Sequence, residues 1–256
     1  MRIVSLINGS LLSESASQLA LNYAGSVQLP FTALFIDNGN ESIERVRETV
    51  SVLQAQAEAL QIEFEFVQLE GDVIEQLQHY CQLYAVETLF CATRQNSKLR
   101  SFSEKIIHAK IETNIAVVKI KNVAHSQQPQ RLLLLSKEQI NPHVYVLWLG
   151  LIKAFCAYGR IHFAVGKGFS HASSKSGLKY HAAPFMQLAT LAGIAESQVH
   201  IANSVQKMDV ETVHRYLVEH DVDLLMMRND LYSKQELNDI GDESSANSII
   251  IYPWEG

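Results

Sequence analysis

No apolar run in this 256-residue chain reaches the roughly 20 residues that a membrane-spanning helix needs. The longest, Val144–Ile152, is short and ends at Lys153, so no membrane association is expected. Basic residues are in the minority: 21 Lys and Arg against 27 Asp and Glu leave a net charge of −6. That sign argues against nonspecific binding to nucleic acid or to an acidic membrane. Cysteine is scarce, and Cys81, Cys91 and Cys156 stand apart within apolar segments. An odd, scattered set reads as reduced, buried thiols in a cytoplasmic protein, not as a disulfide framework. The opening MRIVSLINGS runs straight into a strand, with no signal-peptide pattern. The expected location is the cytoplasm.

Chemical motifs are also missing. Ten histidines are present, but neither HxxxH nor HExxH occurs. His214 and His220 share a predicted helix six residues apart, which does not stack two ligands on one face as a spacing of four would. His162 and His200 fall on predicted strands, and His171 and His181 near one loop; structural or exposed roles suffice for all of them. No G-x-S-x-G elbow surrounds Ser10 or Ser13, so capping and turn roles are expected there. Gly166-Lys167-Gly168, with Lys175, Gly177 and Lys179 beyond it, lacks the Gly-Lys-[Ser/Thr] that closes a P-loop, and reads as a strand-to-helix connection. No catalytic residue and no metal ligand is assigned, and the chain is expected not to be an enzyme.

What is present is alternation. Strands are expected at Arg2–Ile7, Phe31–Ile36, Ile62–Gln68, Val86–Cys91 and Ile115–Ile120. Helices are expected at Ser13–Ser26, with Ser13 as cap, at Glu41–Leu60, at Val73–Tyr84, and after Ser101, which with Glu104 forms a capping box. This βαβαβαβαβ order predicts a parallel sheet with helices on both faces. The polar segment NVAHSQQPQ (122–130) then breaks the pattern. The succession restarts with Arg131–Leu135 and the apolar helix Pro142–Tyr158. Strand Arg160–Val165, helix Leu178–Ala192, strand Gln198–Asn203, helix Asp209–His220 and strand Val222–Met227 follow. A polar stretch, Arg228–Ser245, precedes a last strand, Ser248–Tyr252. A repeat of roughly 130 residues means duplicated domains: 1–122, a linker at 123–130, and 131–256.

Four local patterns resemble the universal stress protein family. Asn8-Gly9-Ser10 is similar to the Asp-Gly-Ser that follows that family's first strand. Glu70-Gly71-Asp72 resembles its Gly-Asp entry to the third helix. Ser101-Phe102-Ser103-Glu104-Lys105-Ile106, with Ala116-Val117-Val118 as final strand, resembles its Gly-Ser-Val-Ser-Glu-Arg-Val helix start. His220–Met227, HDVDLLMM, resembles its strand-four entry. The resemblance spans nearly the whole chain and implies two tandem Rossmann-like domains of the adenine nucleotide alpha hydrolase-like kind. Each would be a five-stranded parallel sheet flanked by helices. It also implies an intrachain pseudo-dimer through strands 115–120 and 248–252, with a homodimer or a protein partner as further expectations.

ATP-binding members of the family carry Gly-x2-Gly-x9-Gly-[Ser/Thr] after strand four, where glycines let the backbone approach phosphates at a helix N-terminus. This chain departs from that pattern. Ala92 and Gln95 occupy the first two glycine positions, Arg100 the third, and the spacer is four residues. Asn8 stands where the family has its base-reading Asp. In the second half Arg228 replaces the first glycine. The expectation is a stress-response protein acting by binding or assembly, without ATP and with no cofactor, ATP or AMP in domain 1 being the other possibility. The alternative is therefore an adenine-nucleotide sensor with a modified site. It would use Asn8, Gly9 and Ser10 at the first loop, Phe35 and Ile36 at the base, and Thr93, Arg94 and Ser101 at the phosphates. Arg94, Lys98 and Arg100 would then bind anions by charge; the simpler reading is a solvated basic loop.

Overall fold

Strands buried on both faces must be apolar throughout, and the central strands of this chain are. β1 (Arg2–Ile7), β2 (Phe31–Asp37) and β4 (Val86–Thr93) are almost wholly buried, whereas β3 (Phe64–Glu70) alternates as an edge strand does. The computed structural model describes all residues except 40–41, 94–101, 110, 124–128, 137–141, 156–158, 166–185, 188, 191–192, 203–208, 230, 234–235, 237–238, 241–245 and 255–256. Two units separate by their contacts: Met1–Gln127 with Ile250–Gly256, and Gln128–Ile249.

In the first unit β5 (Asn114–Lys119) completes a parallel sheet of order β3-β2-β1-β4-β5. Helices α1 (Leu11–Val27), α2 (Ile43–Ala59), α3 (Val73–Leu83) and α4 (Phe102–His108) connect the strands. Much of α1 is buried, and its buried face is built largely of small residues, Ser13, Ser15, Ala16, Ser17, Ala20 and Ala24. One core cluster holds Leu77, Leu89, Ile106, Ile115 and Val117, with Ile250 and Tyr252 packed on it.

The second unit repeats the order. β6 (Arg131–Ser136), β7 (Arg160–Val165), β8 (Val199–Ile201) and β9 (Leu224–Arg228) lie in the order β9-β6-β7-β8, all parallel, and β10 (Asn247–Tyr252), beside β9, belongs to this unit only as far as Ile249. Helix α5 (Pro142–Phe155) buries Trp148, Leu151 and Ile152, one stripe at helical spacing. Helix α6 (Val210–Glu219) buries Val213, Tyr216 and Leu217. The fold is α/β with parallel strands and flanking helices, as the alternation predicts. The expected helix Leu178–Ala192 and the loop Gly166–Gly177 fall mostly or wholly outside the described residues.

Some boundaries differ, for one physical reason. Gln61 and Asp221 take left-handed backbone angles, φ 57° and 51°. The next residue then bonds back: Ile62 N–H donates to Ala57 O, and Val222 N–H to Leu217 O. These are Schellman closures on residues other than glycine. They assign Ile62 and Val222 to helix exits, so β3 starts at Phe64 and β9 at Leu224, two residues later than expected. Likewise Ser10, not Ser13, caps α1: Ser13 N–H donates to Ser10 Oγ at 3.2 Å. Ser13 is already in the first turn, its hydroxyl donating to Ser10 O.

Candidate functional site

In the first unit the chain proceeds from β1 through β2 to β3 on one side and places β4 on the other. Ligands of open α/β sheets bind outside the strand carboxyl ends at such a switch. Asn8, Gly9 and Ser10 follow β1 there, and Thr93 ends the neighbouring β4. Phe35 lies across from Ile7 on β2, with Ile36 beside it. The structure thus gathers Asn8, Gly9, Ser10, Phe35, Ile36 and Thr93 at the ends of three adjacent strands. Arg94 and Ser101 lie outside the described residues, as do Gln95, Lys98 and Arg100.

The β1 turn is folded upon itself. Asn8 Oδ1 accepts from Ser10 N–H at 3.1 Å, and Asn8 N–H donates to Ser13 Oγ at 3.3 Å. The side chain that would read a base is spent on an Asx turn. Gly9 has φ 72°, and a Cβ there would stand 2.9 Å from Arg45 Cβ and 3.0 Å from Val46 N. The start of α2 therefore sits directly against this turn. Phe35 and Ile36 are both buried. Gly9→Ala should cost about 1–3 kcal/mol, from a left-handed φ and a backbone clash. A thermal melt checks this; an unchanged midpoint would mean that α2 gives way and the turn can open.

Some polar residues at or near this edge were not legible in the sequence. Ser5 Oγ and Ser17 Oγ lie 2.8 Å apart in the buried interface of β1 and α1, and Ser17 Oγ also donates to Ser13 O. Ser103 Oγ donates to Thr93 Oγ1 at 3.0 Å. Lys119, buried, is at register with Thr93. Ser5 and Ser17 belong to no motif; the packing of α1 on β1 brings them together. Burial pushes the Cys91 thiol up to about 12 and the Cys81 thiol up to about 11. Neither offers a thiolate at neutral pH; Cys156 lies outside the described residues. At the opposite edge, Glu87 is raised by burial while Thr88 and Tyr23 hydroxyls hold its carboxylate.

In the second unit, the segment HDVDLLMM (His220–Met227) has a structural task. Asp223 Oδ2 accepts from Gln130 N–H at 2.8 Å and from Arg131 N–H at 3.0 Å, which fixes the start of β6. Arg228 ends β9.

No family model matches the sequence, and no curated protein matches it. Solved structures do match in fold. A universal stress protein from Archaeoglobus fulgidus DSM 4304 superposes with TM-score 0.62 at 14% identity, covering 98% of this chain and 96% of that one. The functionally unknown protein PA1789 from Pseudomonas aeruginosa PAO1 gives 0.59 at 12%, over 98% and 92%. The cytoplasmic domain of a prokaryotic cation chloride cotransporter gives 0.61 at 10%, over 98% and 95%. The fold is that of universal stress proteins and their structural relatives. Among the described residues no helix is long and apolar enough to cross a membrane.

Proposed function

We propose that the chain is a cytoplasmic, non-catalytic stress-response protein of the universal stress kind that acts by binding or assembly, without ATP in its first unit. One observation carries the ligand half of this reading. The Asn8 carboxamide is turned onto Ser10 N–H while α2 packs on Gly9 and both Phe35 and Ile36 are buried. A base would have to displace these contacts. The substitutions at Ala92, Gln95 and Arg100 act in the same direction. The expected pairing of 115–120 with 248–252 belongs to this reading, and Ile250 and Tyr252 pack on the cluster that contains Ile115 and Val117. A second copy or another protein is the further partner.

The other reading is an adenine-nucleotide sensor. The Thr93–Ser103 hydroxyl pair favours it, because these groups stand at the carboxyl end of β4, where phosphates would lie. Thermal melting with millimolar ATP, ADP and AMP separates the two. A ligand at about 100 times its Kd adds about 2.7 kcal/mol, several degrees for a chain of this size. No shift with any of the three is expected; a clear shift would overturn the non-binding reading in favour of the sensor.

A further inference from the structure

One face of the second unit gathers three histidines. His162 on β7 and His200 on β8 are register partners, and their ring centroids are 5.3 Å apart. His220, the C-cap of α6, lies 5.3 Å from His162 on another side. His162 is buried, and its Nδ1 is 2.6 Å from the Tyr216 hydroxyl of α6. The Tyr216 and His220 rings, tilted by 36°, have centroids 4.1 Å apart. His162 is therefore a polar tie between α6 and the sheet.

Charges around it are mostly of one sign. Arg131 on β6 and Arg160 on β7 both act on His162. Two carboxylates are near Arg131, and both have other partners: Asp221 pairs with the Arg131 guanidinium at 2.9 Å, and Asp223 accepts from the β6 backbone. Arg131 also donates to His220 O, the last turn of α6. On the outer face of α6, Glu211 and Arg215 pair with each other. Among the described residues no three His, Cys, Asp or Glu side chains are set as metal ligands, so the proton is the cation to consider.

We infer that α6 and its contacts with β7 form an acid-sensitive latch, in which His162 can take up a proton only when α6 lifts from the sheet. Burial, then the charges of His200, His220, Arg160 and Arg131, hold His162 down at about 4, against 6.5 when solvated. The Tyr216 bond itself survives protonation, since a charged imidazole can donate where a neutral one accepts. What the closed state rejects is the charge. The sign follows: between pH 6.5 and 4 the open state binds the extra proton, so closure is favoured above that window and lost as pH falls through it. Release of α6 would uncover Val213, Tyr216 and Leu217 and the sheet face beneath.

Hydrogen exchange of the α6 amides, corrected for intrinsic rate, tests this. Protection of Val210–Glu219 should fall at least tenfold, on the order of the linkage expected for that shift, between pH 7.5 and 4.5. Helix α2, which carries no histidine, should not follow it. His162→Gln should flatten the dependence. If that buried variant does not fold, His200→Gln, at an exposed edge position, should shrink the acid-induced fall in protection by removing a neighbouring charge that repels a protonated His162. Equal protection at both pH values, or an undiminished fall in His200→Gln, would overturn the latch.

Discussion

Gly159→Ala is expected to destabilise the second unit by about 3 kcal/mol or more, placing it among the severe overpacking substitutions. The backbone angle is not the reason. A Cβ at position 159 would stand 2.3 Å from Gln130 O and 2.8 Å from Gln130 C. Gln130 has no room to retreat. Its carbonyl accepts from Arg160 N–H at 2.7 Å, and its own N–H is held by Asp223. Gly159 O in turn accepts from the Gln198 side chain. Relief of the clash therefore means parting the starts of β6 and β7. Urea denaturation followed by tryptophan fluorescence reads it, since Trp148 is buried in this unit. A midpoint equal to that of the parent would show that the segment before β6 shifts freely.

Asp223→Ala attacks the same node from the other side, with an expected loss of about 2–4 kcal/mol. One carboxylate oxygen serves two backbone N–H groups at the entry to β6, and both lose their acceptor together. Asp223→Asn keeps an oxygen in place and should cost only about 1 kcal/mol. The ratio of the two variants in the same urea titration is the informative quantity. Equal losses would assign the effect to charge and not to the orphaned N–H groups.

This pair of residues marks the limit of what the sequence makes legible. The alternation of apolar strands and amphipathic helices follows from residue periodicity, and the fold class comes through intact. The motif HDVDLLMM could be matched to a family pattern, but nothing in it says that Asp223 holds the backbone of residues 93 positions earlier. Gly159 is similar: it sits before a strand like any turn glycine, and its close approach to Gln130 is a tertiary fact. Strand starts are the boundaries that shift, by two residues, where Gln61 and Asp221 adopt angles usually left to glycine. At the candidate site, Asn8, Gly9 and Ser10 were found by motif, while their inward hydrogen bonding was not, because a turn's acceptors are chosen by geometry. His162 and His200 were both placed on strands; their pairing depends on a register that no single-chain pattern encodes.

The division of the chain has a consequence for its synthesis. Residues from Ile250 onward belong to the first unit. Ile250 and Tyr252 pack on its core, and Trp254 N–H donates to Asn114 Oδ1, whose own amide donates to Glu87 O. A ribosome delivers Asn114 and Glu87 long before it delivers Trp254. The N-terminal half thus leaves the exit tunnel with part of its hydrophobic surface uncovered, and must wait through the translation of the entire second half for the few residues that cover it. During that interval it is the species most exposed to chaperones and proteases, and a gene truncated anywhere in the second half yields a first half that is never finished.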